Sequence, residues 1–205
     1  MNISSILNEY INFRNEYISK YGENTLVLLQ NGAFFEIYAV INDIEELGES
    51  NIYEICQSIL GIVVSKRNKK IKEINRQNFL QAGFGVDYVN KYLKMLLNNN
   101  YTVVLVRQVT EKPNIERKAT EIYSPGTYIE NYNNNDTNYL MSIYIEKYDC
   151  IKQKINAGIS LIDLATGDCK LHNIDKDDIN YWKDEISRYI HYYNPSECLF
   201  QTYNY

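Results

Sequence analysis

Ile3, Ile6, Leu7, Tyr10, Phe13, Tyr17 and Ile18 recur every three to four residues, which predicts an amphipathic helix that ends near Gly22. The pattern then changes period. Thr25 to Gln30 and Phe34 to Val40 are strand-like runs on either side of Asn31-Gly32, a dipeptide suited to a tight hairpin turn. An acidic stretch (Asp43, Glu45, Glu46, Glu49) leads to a short helix near residues 51–59 and a strand over Gly61–Val64. Asn78–Phe84 reads as a further strand, and Val89, Tyr92, Leu93, Leu96 and Leu97 mark a helix that stops at Asn98-Asn99-Asn100. Two more strands follow, over Thr102–Val106 and Lys118–Tyr123.

The polar, turn-rich run from Glu130 to Asn138 reads as a linker. Beyond it, Tyr139–Tyr148, Lys154–Leu164 and Asp168–Asn173 predict three successive strands. Asp175 to Asp178 can cap a helix whose apolar face is Ile179, Trp182, Ile186, Tyr189 and Ile190, and Cys198 begins a fourth strand. The expected organisation is α/β: a mixed-sheet domain over 1–129, a linker over 130–138, and a second domain over 139–205. Three strands, a helix and a strand open a ribonuclease-H-like sheet, and the chain stops before such a sheet would finish, so a piece of a longer protein is expected.

A length of 205 residues suits two modest domains, and 45% hydrophobic with 23% charged residues argues for a folded chain. No apolar run approaches membrane-spanning length, so no membrane partner is expected. Cys56, Cys150, Cys169 and Cys198 are scattered without a CxxC pair, which disfavours zinc and reads as reduced thiols of an intracellular protein. The net charge of −5 is unevenly distributed: residues 1–130 hold 14 Lys/Arg against 15 Asp/Glu, and residues 131–205 hold 7 against 11. Within the first half, Lys66, Arg67, Lys69, Lys70, Lys72 and Arg76 stand against Glu73 alone. This run is either a solvated loop or a phosphate-binding patch.

Side chains alternate along a strand, so Phe35, Ile37 and Ala39 form an apolar core face, with Phe34, Glu36 and Tyr38 opposite. Pattern alone reads Phe34 as a core or half-buried residue. The run Leu28-Leu29-Gln30-Asn31-Gly32-Ala33-Phe34-Phe35-Glu36-Ile37-Tyr38 resembles the mismatch-reading segment of MutS proteins, whose mark is Gly, any residue, Phe, Tyr or Phe, then Glu. Later segments match in order: Val64-Ser65-Lys66-Arg67, Gln81-Ala82-Gly83-Phe84, Arg107-Gln108 and Ile122-Tyr123-Ser124-Pro125-Gly126-Thr127. Residues 158–167 and Asn194 to Leu199 look like the connector domain of that family. Ala33 and Phe35 depart from the acidic residue and the tyrosine common there.

The resemblance implies a mismatch-recognition domain followed by a connector. Phe34 would act as a minor-groove wedge, Glu36 as a hydrogen-bonding partner of the displaced base, and Lys66, Arg67, Lys69 and Lys70 as phosphate contacts. The implied partners are double-stranded DNA with mismatches or small loops, a second subunit of a full-length parent, and a downstream repair protein on the connector. No Gly-x-x-x-x-Gly-Lys-Ser/Thr loop occurs, so no cofactor and no catalytic or metal residue is expected in this chain; ATP and magnesium would belong to the parent. Two rivals remain. Asp163, Asp168 and Glu185 could be cast as metal ligands of a ribonuclease-H-like nuclease, and the acidic total fits a protein-interaction module that has lost DNA binding.

Overall fold

The computed structural model describes residues 3–110, 113–128, 137–149, 154–174 and 180–203, and the chain divides into two compact units, Met1–Ser124 and Pro125–Tyr205. The expected linker falls largely outside the described residues, as do Asp175–Asp178, the expected helix cap.

The first unit opens with helix α1 (Ile3–Tyr21), ended by Gly22 at φ +90°. Strands β1 (Thr25–Asn31) and β2 (Phe34–Ile41) form the hairpin, with Asn31 paired to Phe34. The two-residue loop is therefore Gly32-Ala33, one position later than the Asn-Gly signal places it. Gly32 has φ +62° and Ala33 is not positive, the pattern of a turn that needs glycine first only. After a short strand β3 (Glu46–Gly48), the predicted helix near 51–59 includes a π-helical turn over Glu54–Ile59. The strand expected over 61–64 is absent: the Ile62 N–H donates to the Cys56 carbonyl, and pairing begins only at β4 (Ser65–Lys66). Strand β5 (Leu80–Gly85), a 3-10 turn (Val86–Tyr88), helix α2 (Val89–Leu97), β6 (Thr102–Gln108) and β7 (Arg117–Tyr123) complete the unit.

These strands form one mixed sheet in the order β4-β5-β2-β1-β6-β7, with β3 on β2. Only β1 and β6 run parallel among the pairs described, joined through the intervening hairpin and helix. Leu26 to Leu29 and Val103 to Val106 are buried on both faces, which explains their unbroken apolar runs. Helix α2 covers the Phe35 face, where Tyr92 packs on Phe84 at 4.2 Å between ring centroids. Helix α1 covers the other face, where Tyr10 meets Tyr38 edge-on at 5.4 Å. Tyr38 is thus buried, although alternation placed it on the face opposite the core.

The second unit has its own sheet, β10 (Cys169–Ile174), β9 (Lys154–Asp163), β8 (Tyr139–Asp149), β11 (Glu197–Tyr203), in that order. Strand β11 runs parallel to β8 and the other pairs are antiparallel. Helix α3 (Tyr181–Tyr193) lays Trp182 and Ile186 on Met141, Ile143, Ile159 and Leu161. Asn194 ends it at φ +42°, a left-handed stop that asparagine tolerates.

Candidate nucleic-acid interface

Phe34 is the first residue of β2, next to the hairpin loop, and is 52% exposed, while Phe35 beside it is fully buried. Leaving half of a phenylalanine in water forgoes on the order of 1 kcal/mol of burial, so the fold gains nothing by placing it there. Glu36 lies on the same face, half-buried, two residues into the strand. Its Oε2 accepts hydrogen bonds from Asn31 Nδ2 at 2.8 Å and from the Tyr38 hydroxyl, and its Oε1 has no partner among the described residues. Burial and the facing Glu36 charge push the Tyr38 phenol far above its ordinary range, so it stays a donor. The carboxylate is therefore held from one side with its second oxygen available.

Strand β5 supports this arrangement in a way the sequence did not announce. Gly83 pairs with Glu36 and Gly85 with Phe34, so both neighbours on this flank lack a side chain. A Cβ on Gly83 would lie 2.5 Å from the Phe35 carbonyl oxygen and 2.9 Å from Glu36 Cγ. Glycine in a strand interior marks a close approach of backbone or ligand, and here it leaves a bare strip alongside the ring and the carboxylate. Tyr88, 62% exposed in the turn after Gly85, adds a second aromatic at the end of that strip.

The basic run is ordered by asparagines. Asn78, buried, donates to the Ile71 and Glu73 carbonyls and accepts from the Asn68 N–H, which fixes the loop that displays Arg67, Lys69 and Lys70. Arg67 also stacks its guanidinium 5.4 Å over the Phe79 ring. Lys66, half-buried, donates to the Lys72 carbonyl. Arg76 is neutralised by Glu45 at 2.8 Å, whereas Lys69 and Lys70 have no ion-pair partner among the described residues.

The structure brings Phe34 and Glu36 together and holds the basic loop apart from them. Lys66 pairs with Leu80, Leu80 with Ala39, and Ala39 lies five residues along β2 from Phe34. At about 3.3 Å per residue the offset along the strand direction is about 17 Å. Successive phosphates on one strand of duplex DNA are about 3.4 Å apart along the axis, so for a duplex lying along the strand direction this offset would correspond to about five base pairs.

In the second unit two of the three carboxylates cast as metal ligands, Asp163 and Glu185, have other duties. Asp163 accepts from the Asn138 and Ala165 N–H groups and the Thr166 hydroxyl, closing the turn between β9 and β10. Glu185 is engaged by Arg188 and, at 3.1 Å, by His172. Among the described residues no group of three or more His, Cys, Asp or Glu is placed to hold a metal ion, and no helix is long and apolar enough to cross a membrane.

Residues 50–132 match the family model for MutS domain I, a span that includes the basic loop and Gly83 and begins after Phe34. A DNA mismatch repair protein mutS homolog of Acanthamoeba polyphaga mimivirus is 32% identical over 201 residues, covering 95% of this chain and 17% of the relative. The DNA mismatch repair protein MutS of Thermodesulfovibrio yellowstonii is 27% identical over 202 residues (96% of this chain, 19% of the relative). The mitochondrial DNA mismatch repair protein mutS homolog of Sarcophyton glaucum is 26% identical over 205 residues (93% and 20%). The chain thus spans no more than 20% of the length of these relatives. On these matches the chain belongs to the MutS family of DNA mismatch repair proteins and carries that family's domain I.

Proposed function

We propose that this chain reads mismatched duplex DNA by driving Phe34 into a weakened base step, with Glu36 testing the base that the ring displaces. The observation that carries the reading is the contrast between a half-exposed Phe34 and a fully buried Phe35 at a hairpin tip, beside a strip without side chains. Inserting an apolar wedge costs a few kcal/mol of unstacking, and less where pairing is already broken. Discrimination then follows from deformability, since an intact step resists the kink that a mispaired step allows.

Glu36 sharpens the discrimination by its charge. A carboxylate near phosphates is repelled unless a donor meets it, and a displaced base offers N–H groups to Oε1, the oxygen that Asn31 and Tyr38 leave available. On an intact duplex that compensation is missing. Arg67, Lys69 and Lys70, with Lys66 behind them, supply affinity through phosphates about five base pairs away and carry no sequence information.

The second unit is the connector of this reading. Its strand order, with β11 returning parallel to β8 across helix α3, supports a ribonuclease-H-like sheet. Its acidic balance favours protein contacts over phosphate, and a downstream repair protein is the partner proposed for it. In a full-length parent the chain would serve one subunit of a DNA-clamping dimer whose ATP and magnesium chemistry lies elsewhere, since this sequence has no phosphate loop.

The reading is tested by competition binding of the full-length protein to matched and mismatched duplexes across salt concentrations. Phe34→Ala should remove the preference for mismatches and leave matched-duplex affinity near its original value. Replacing Lys69 and Lys70 together with alanine should weaken both duplexes alike and reduce the salt slope by about two. Retention of the preference in Phe34→Ala would refute the wedge.

A further inference from the structure

Both polar backbone groups of the turn glycine, Gly32, are held by side chains rather than by the opposite strand. Gln30 Nε2 donates to the Gly32 carbonyl at 3.0 Å. The Gly32 N–H donates to Gln108 Oε1 at 3.2 Å, with the Gln108 amide turned so that its oxygen meets donors. The two glutamines are tied to each other, since the Gln108 N–H donates to Gln30 Oε1 at 3.1 Å.

Beneath them lies Arg117 of β7, whose side chain is 1% exposed. Its Nε donates to the Gln30 carbonyl at 2.7 Å, its Nη2 to the same Gln108 oxygen at 3.2 Å, and its Nη1 to Glu9 of α1 at 2.7 Å. Burying a guanidinium is costly, and an apolar residue would fill a sheet end at least as well for stability alone. Every acceptor that Arg117 uses leads either to α1 or to the hairpin tip.

We infer that Gln30, Gln108 and Arg117 form a latch that fixes the hairpin tip against the body of the first unit, making Gln108 and Arg117 positioning residues for Phe34. The inference rests on the wedge reading for its functional half. Phe34 directly follows the Gly32-Ala33 loop, so any fraying of that loop moves the ring first. A wedge that recoils on contact with a stacked base pair loses the insertion it must sustain, which is why a reading side chain needs a rigid second layer. The latch supplies that layer from residues 78 and 87 positions along the chain from Gln30.

The test uses Gln108, which is half-buried, so that the Arg117–Glu9 pair remains in place. In Gln108→Ala, exchange of the Gly32 amide followed by NMR on the full chain should accelerate about tenfold, the scale of one lost hydrogen bond, while the central amides of β1 and β6 keep their rates. Gln108→Glu should restore the protection, because its carboxylate accepts from the same two donors. In the full-length protein Gln108→Ala should lower the ratio of mismatched to matched affinity by several-fold to about tenfold, and Gln108→Glu should keep that ratio while weakening both duplexes. Unchanged Gly32 exchange in Gln108→Ala overturns the latch. Faster exchange with an unchanged ratio, when Phe34→Ala abolishes the ratio, overturns the positioning role and leaves the wedge standing. An unchanged ratio in Phe34→Ala sinks the wedge, and with it the functional half of the inference, while the exchange result still decides the latch.

Discussion

Two glycines on one face of β5 should respond in opposite directions to the same methyl group. At Gly83 an added Cβ would lie 2.5 Å from a backbone oxygen, which cannot swing aside, whereas at Gly85 the nearest atom is a Tyr88 ring carbon at 3.5 Å, an ordinary contact. Neither glycine has a positive φ, so alanine at either position gains about 0.4–1 kcal/mol from the unfolded chain's lost freedom. At Gly83 overpacking of about 1–3 kcal/mol opposes that gain, for a net loss of about 1–2 kcal/mol. Gly85→Ala should be as stable as the parent or slightly more so. Native-state hydrogen exchange of the central β1 and β6 amides reads the stability of the first unit directly. Those amides should exchange about 5–30 times faster in Gly83→Ala and no faster in Gly85→Ala. Equal rates in the two variants would refute the claim that Gly83 is required by the close approach of β2.

The second unit should lose stability in acid. Burial raises the Asp163 carboxyl, but the Ala165 and Asn138 N–H groups and the Thr166 hydroxyl outweigh it and hold it below its ordinary value, and Arg188, with His172, holds Glu185 low. Groups depressed in the folded state stabilise fully above the ordinary carboxylate range, roughly pH 4, and that contribution fades as pH falls through their folded values. Fluorescence of Trp182, the single tryptophan, should report this acid transition, and Asp163→Asn should flatten it; an identical acid limb would contradict the assignment. In the first unit, burial and the Glu49 charge push the Cys56 thiol up to about 12. A maleimide at pH 8 should therefore modify the exposed Cys169 and spare Cys56 until the unit unfolds, and peptide mass spectrometry showing comparable native labelling would count against that burial.

The residues that could be recognised in the sequence were those whose pattern is local. Helix α1, the β1–β2 hairpin, the buried run in β6 and the three-strand, helix, strand order of the second unit all follow from periodicity and turn residues within a short window. Ile62-Val63-Val64 misled because β-branched composition imitates a strand, yet Val63 is 80% exposed and no strand pairs there. Alternation could not foresee the burial of Tyr38, which depends on Tyr10 arriving from another element. Phe34 and Glu36 were visible through resemblance to a family, and their shared face through the strand period. The bare Gly83–Gly85 strip and the 17 Å offset of the basic loop depend on the β2–β5 register, about five residues of strand. Gln108 was visible only as part of a matching segment and Arg117 not at all, and their contacts could not be foreseen because their partners lie far away in sequence.

Base unstacking at a mismatch gives the most direct measure of the wedge. With 2-aminopurine placed beside a mispair and the full-length protein at saturation, fluorescence should rise on binding as the ring opens the step. Phe34→Ala should bind at sufficient concentration without that rise, and Phe34→Trp should retain it. A rise of the same size in Phe34→Ala would contradict the account, because the step would then open without the side chain held responsible for opening it.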